Sequence, residues 1–142
     1  GGQAIDLASV GKPLTEPELR AMHRLKTGAL LEGSVRMGAA CADAVDPAAL
    51  RALNDYGAAL GLAFQVVDDI LDVTADSAAL GKTAGKDAAA DKPTYVSLLG
   101  LDASQMLAEA LCMRAHGALD VSGLADVGRL RALADMVVKR TH

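Results

Sequence analysis

Three carboxylates set in an otherwise apolar run are the residues of this chain whose type and spacing best suit chemistry. Between Tyr56 and Val73 the only charged side chains are Asp68, Asp69 and Asp72. On a helix of about 3.6 residues per turn, Asp68 and Asp72 stack one above the other and Asp69 lies beside them. Gln65 falls one turn earlier on roughly the same face. Stacked like charges cost a helix roughly a few tenths of a kcal/mol per pair, so a positive partner is expected against them. A hard divalent cation answers that need. Magnesium prefers oxygen ligands, keeps several waters, and takes one or two protein carboxylates plus substrate phosphates. The residues alone therefore point to magnesium-dependent handling of a diphosphate, without fixing the reaction.

Cations elsewhere in the chain fit the same chemistry. Lys26 precedes Thr27 and Gly28, while Lys82, Lys86 and Lys92 fall between Thr74 and Tyr95. Lysine amines bind phosphate oxygens as point charges, and a long loop in a helical domain is more often a binding loop than filler. The Gly81-Lys82-Thr83 run is not a nucleotide phosphate loop, because the required earlier glycine is Asp76 and no strand precedes it. Cys112 and His116 stand one helical turn apart and could form half of a metal site. Ordinary packing is the expectation there, since no second pair lies near them in sequence.

These side chains need helices to hold them, and the composition supplies little else. Hydrophobic residues make up 51% of the 142 residues and aromatics only 2%. Alanine and leucine favour helix, and strand-favouring aromatics are nearly absent, so an all-α domain is expected. Thr15 with Glu18 reads as a capping box with Pro17 in the first turn, opening a helix to about Gly38–Ala44. Leu19, Met22, Leu25, Leu30 and Met37 recur along it at helical spacing. Asp46-Pro47 opens a second helix, roughly 40 Å long, ending near Val73 and carrying the carboxylates. Its expected apolar face is Leu50, Leu53, Tyr56, Leu60, Phe64, Val67 and Leu71. A loop is expected over Thr74 to Asp91. A short helix over Tyr95–Leu99 then stops at Gly100. Asp102 with Gln105 reads as a further capping box, ahead of a face of Met106, Ala110, Met113 and Gly117. A last helix is expected from Leu124 to about Arg140, burying Val127, Leu130, Ala134 and Val137.

Several classes are excluded. The net charge of −4 argues against a nucleic-acid binder. The longest uncharged run, Tyr56 to Val67, is too short to span a bilayer and contains Gln65. Cys41 and Cys112 make no disulfide framework and suit a reducing, cytoplasmic setting. No signal-peptide pattern is present, although the chain opens with Gly1-Gly2 rather than Met.

The motifs taken together resemble a known family. Gly2-Gln3-x-x-Asp6-Leu7, Lys26-Thr27-Gly28, and Phe64-Gln65-x-x-Asp68-Asp69-x-x-Asp72 are similar to motifs of the short-chain trans-prenyl diphosphate synthases. Leu80-Gly81-Lys82 to Asp87 and Lys92-x-Thr94-Tyr95 continue the likeness, in order, through Leu133-Ala134-Asp135. The chain looks most like the bacterial farnesyl diphosphate synthases (geranyltranstransferases). The resemblance implies an isoprenoid-synthase helical bundle, normally a homodimer, that condenses isopentenyl diphosphate head-to-tail with an allylic diphosphate. By position it implies Mg2+ on Asp68, with Asp69 and Asp72 as supporting or outer ligands. It implies Lys26 and Lys82 on the allylic diphosphate, with Lys92 orienting loop and carboxylates. Thr27 and Gln65 would stabilise the allylic cation through their oxygens, and Gln3 and Asp6 would line the cavity.

One departure qualifies the likeness. The family's first aspartate-rich motif is missing, so residues 1–142 are expected to be the C-terminal portion of a single polyprenyl-synthase domain. Such a piece alone should lack a complete metal site and show no prenyl transfer. A non-catalytic prenyl-synthase-like subunit is the competing reading, although such a subunit has no need of Lys26, Thr27, Gln65 and the aspartates. A class I terpene cyclase would not be expected to keep the Lys82 to Tyr95 segment.

Overall fold

Alanine- and leucine-rich segments, punctuated by Thr15, Asp46, Thr94 and Gly100, fold here into helices. The computed structural model describes residues 4–5, 8–9, 14–42, 44–80 and 93–140, and no strand occurs among them. Helix α1 (Glu16–His23) runs through a π-helical turn (Arg24–Gly28) into α2 (Ala29–Ala40). Then come α3 (Pro47–Leu80), α4 (Tyr95–Leu99), α5 (Leu101–Asp120) and α6 (Gly128–Lys139).

The helix starts follow local chemistry. The Glu18 carboxylate accepts from the Thr15 backbone N–H at 2.8 Å and from its hydroxyl at 2.7 Å. Those two bonds, the hydroxyl's first, hold the exposed Glu18 carboxyl below its usual range. Asp46 accepts from the Ala48 N–H at 2.8 Å, with Pro47 as the first helical residue of α3. Gly100, at φ 87°, ends α4 in the left-handed region that glycine tolerates.

Helix α3 is the axis of the bundle and packs against α1, the π turn, α2, α4, α5 and α6. It places Ala49, Ala52, Leu53, Tyr56, Ala59, Leu60, Ala63, Val66, Val67 and Ile70 in the core, while Phe64 and Leu71 of the expected apolar face are only partly buried and Leu50 is exposed. The Tyr56 hydroxyl donates to the Leu130 carbonyl of α6 at 2.8 Å, and burial pushes its pKa up to about 12. Arg140 lies over the Phe64 ring, 4.9 Å from its centroid. Cys41 and Cys112 are free thiols. Among the described residues no helix is long and apolar enough to cross a membrane.

Several expectations are corrected. First, α3 does not end near Val73 but continues through Leu80, because alanines fill its last turns and no glycine or proline intervenes before Gly81. The helix thus takes up Thr74 to Leu80 of the expected loop, and residues 81–92 lie outside the described residues. Second, α5 begins at Leu101 after Gly100, and Asp102 sits in its first turn instead of capping it. Third, α5 buries Ser104, Ala108, Leu111, Ala115 and Leu119, leaving Met106 and Met113 facing outward. Fourth, Leu25, Leu30 and Met37 are also exposed, and α2 has no fully buried residue. Apolar spacing marks a face, but only a neighbour buries it. The last helix starts at Gly128, with Ala134, Val137 and Val138 buried and Val127 and Leu130 partly so.

A close backbone contact joins α3 to the π turn and α2. A Cβ added to Gly61 would stand 3.0 Å from the Gly28 Cα, and one on Gly57 would stand 3.4 Å from the Glu32 Cα. Two helical backbones approach this closely only where side chains are absent. Gly61→Ala is therefore expected to push the two segments apart and cost about 1–3 kcal/mol, the usual range for overpacking. Urea unfolding measures this, and an unchanged midpoint would show that the contact is looser than described.

Candidate functional site

The site residues are placed by that glycine contact. Ala29 donates its N–H to the Arg24 carbonyl five residues back, which is the hydrogen bond that defines a π turn. The turn accommodates one extra residue and so changes the direction in which Lys26 and Thr27 leave the helix. π-Bulges are frequent at functional sites. Gly28 then sits against Gly61, one turn before Gln65 on α3. Across this junction the Thr27 hydroxyl donates to the Gln65 side-chain oxygen at 2.7 Å. Gln65 is buried, Thr27 half-buried and Lys26 exposed.

The pairing refines what these two residues can do. The Thr27 proton is committed to Gln65, so the remaining lone pairs of its oxygen can face a positive centre. Gln65 is fixed by the same bond, so its amide does not need to be ordered when a ligand arrives.

The three aspartates separate into two kinds. Asp68 and Asp72 are exposed and share one face of α3, one turn apart. Asp69 is turned about 100° from Asp68 by the helical rotation and is buried. Its Oδ2 accepts the backbone N–H of Tyr95, the first residue of α4, at 2.7 Å. The same oxygen lies 3.8 Å from Nε2 of His23, which is itself buried at the end of α1. The His23 ring stacks on Tyr95, with centroids 5.6 Å apart and planes 22° apart. Burial pushes the Tyr95 phenol up, opposed by the nearby Arg20 guanidinium. Asp69 thus ties together the acidic helix, the segment leading into the π turn, and the helix that follows residues 81–92. The structure does not place it on the exposed face with Asp68 and Asp72; its buried carboxylate is engaged with Tyr95 instead.

A hard divalent cation fits what remains. Two exposed carboxylates one turn apart offer oxygen donors on one side only, and magnesium accepts one or two such groups while keeping waters and phosphate oxygens for the rest of its shell. Of the other expected residues, Gln3, Asp6, Lys82, Lys86 and Lys92 lie outside the described residues. His23 and its contact with Asp69 had no sequence signal beyond its place one turn before Lys26. A separate cavity of about 260 Å³ lies among Arg20, Arg24, Gly28, Leu62 and Arg114, on the arginine-bearing side of the same junction.

Comparison with known proteins bears on this geometry. The family model described as Polyprenyl synthetase matches residues 1–122. A probable farnesyl diphosphate synthase of Sinorhizobium fredii is 58% identical over 116 residues, covering 79% of this chain and 35% of its own length. The farnesyl diphosphate synthase of Escherichia coli is 44% identical over 142 residues, covering 99% of this chain and 48% of its own. A crystal structure of a Helicobacter pylori geranyltransferase, complexed with magnesium and isoprenyl diphosphate, superposes with a TM-score of 0.75 at 32% identity. That match covers 98% of this chain and 45% of the other. The chain thus spans between about a third and a half of the length of these proteins.

The different burial of the aspartates predicts different costs of removal. Asp69→Ala leaves the buried Tyr95 N–H unpaired and should destabilise by about 1–3 kcal/mol. Asp68→Ala, at an exposed position, should stay within about 0.5 kcal/mol. Denaturant titration of both variants checks the contrast; equal costs would mean that Asp69 does not anchor α4.

Proposed function

The chain belongs to the polyprenyl synthetase family, and from that premise we propose that the whole protein is a prenyltransferase of the farnesyl diphosphate synthase type. It joins isopentenyl diphosphate head-to-tail to an allylic diphosphate, dimethylallyl or geranyl, with Mg2+ as cofactor. The observation that carries this reading is the Thr27–Gln65 hydrogen bond, set one turn from Asp68 on the same helix. It places oxygen dipoles beside carboxylates able to hold the metal of a diphosphate. The magnesium and isoprenyl diphosphate of the Helicobacter pylori relative support the same ligand pair.

Each side chain then has a role. Asp68, with Asp72, holds Mg2+, and Asp69 keeps their helix in place through Tyr95. When bound, Mg2+ supplies positive charge that favours departure of pyrophosphate. Lys26 neutralises diphosphate oxygens, Lys82 is assigned the same task, and Lys92 is assigned to orienting the loop and carboxylates. The Thr27 and Gln65 oxygens stabilise the allylic cation through fixed dipoles, which act strongly where water is excluded. The isopentenyl double bond attacks that cation, and the proton lost afterwards goes to the released pyrophosphate. Gln3 and Asp6 are assigned to the cavity by the family resemblance alone.

Residues 1–142 are read as the C-terminal portion of one domain, whose N-terminal portion brings the facing carboxylates. The exposed Leu30, Met37, Met106 and Met113 are apolar surface of the kind that the remaining helices and a second copy would cover. A homodimer in the cytoplasm follows from the same reading, and the free thiols of Cys41 and Cys112 suit a reducing compartment. The alternative of a non-catalytic modulating subunit is not favoured, since it has no use for the Lys26, Thr27, Gln65 and Asp68 set.

In the intact enzyme, Asp68→Asn is expected to lower kcat by roughly two orders of magnitude or more, the scale for losing an electrostatic stabiliser, with helicity unchanged. Steady-state kinetics with geranyl and isopentenyl diphosphates measure it. Near-normal turnover would show that the acidic helix is not the metal site.

A further inference from the structure

A second cluster of metal-ligating side chains lies away from the acidic face, between α5 and α6. Cys112 and His116 project one turn apart from α5, and Asp135 of α6 meets them both. His116 Nε2 is 2.8 Å from Asp135 Oδ1, and Cys112 Sγ is 3.7 Å from the same oxygen. The three ligand atoms all lie within 4.8 Å of one another.

We propose that Cys112, His116 and Asp135 form a zinc site that braces α5 against α6, with a solvent water as the fourth ligand. The donor set argues for zinc over magnesium or calcium. Sulfur, imidazole nitrogen and a single carboxylate oxygen suit a borderline-soft, tetrahedral ion, whereas hard cations take oxygen alone. The spacing fits as well. Zinc–ligand bonds of about 2.0–2.3 Å at tetrahedral angles separate the ligands by about 3.4–3.6 Å. At 3.7 Å the Cys112–Asp135 distance is within about 0.1 Å of that range, the His116–Asp135 pair must open by about 0.6 Å from its 2.8 Å, and the Cys112–His116 pair lies within 4.8 Å. An entry path exists, because the side chains of His116 and Asp135 are 25% and 43% exposed.

Two protons occupy the place of the ion at present. The Cys112 thiol and the His116 Nε2–H both donate to Asp135 Oδ1. Burial first, and then the Asp135 charge, push the thiol pKa up, while the His116 bond holds the Asp135 carboxyl below its usual range. Zinc displaces both from the site: the thiol proton is released to solvent, and the imidazole proton moves from Nε2 to Nδ1. Arg131 opposes this exchange. Its NH1 donates to His116 Nδ1 at 3.1 Å, which keeps the ring proton on Nε2. Its NH2 pairs with Asp120, so the guanidinium retains a partner when the ring proton moves to Nδ1.

The test is titration of the intact, metal-stripped protein with Co2+ and then Zn2+, in saturating Mg2+ so that the α3 carboxylates do not contribute. A single equivalent of Co2+ should give thiolate-to-cobalt charge-transfer absorption with the visible bands of a tetrahedral centre, and Zn2+ should abolish both. The spectrum should survive Cys41→Ser and vanish in Cys112→Ser and His116→Gln. Arg131→Gln should bind Co2+ about tenfold more tightly, the size of outer-shell effects on metal affinity. If Cys112→Ser fails to fold, the half-exposed His116→Gln carries the same reading. Absence of charge transfer in the native protein, or its persistence in Cys112→Ser or His116→Gln, would leave only a hydrogen-bonded triad and overturn the site. Neither result depends on prenyl transfer, so this proposal and the enzymatic reading fail separately.

Discussion

The contact of Gly28 with Gly61 sets the geometry on which the rest of the structure depends. Because neither residue carries a side chain, the π turn settles onto the axial helix at backbone distance. Thr27 directly precedes Gly28, and Gln65 follows Gly61 by one turn, so their hydrogen bond is a direct consequence of that approach. The next turns of the same helix present Asp68 and Asp72. A larger residue at either glycine would displace the hydroxyl, the amide and the carboxylates from one another together.

The acidic stretch combines two tasks that its sequence presents as one. Asp68 and Asp72 face outward, where charge is cheaply solvated and a cation with its own waters can dock. Asp69 faces inward and spends one oxygen on the first N–H of α4. A buried carboxylate is tolerated when it is hydrogen-bonded and has a potential counter-charge, and Tyr95 and His23 provide these. The segments before and after the carboxylate helix are thus fastened to it within a few residues of Asp68 and Asp72.

Several features that rest on local chemistry were legible in the sequence, although the Asp102–Gln105 capping box was not one of them. Thr15 with Glu18, Asp46 with Pro47, and Gly100 each fix a helix boundary by interactions within three residues, and each forms as expected. The all-α architecture followed from alanine and leucine content. Features that depend on what packs against what were not legible. Met106 and Met113 have helical spacing, yet the neighbour lies on the other side of α5. The rotation between adjacent residues decides that Asp69 turns inward, but the sequence does not say which direction is inward. The π turn leaves no compositional mark, and Asp135 is brought to Cys112 and His116 only by the packing of α6 on α5.

The central claim is that the face of Asp68 and Asp72 takes diphosphate through Mg2+. Calorimetric titration of inorganic pyrophosphate into the intact protein, with Mg2+ and then with excess chelator, tests it most directly. The account predicts saturable binding that requires Mg2+ and disappears with the chelator. Binding of equal affinity in both conditions would contradict it.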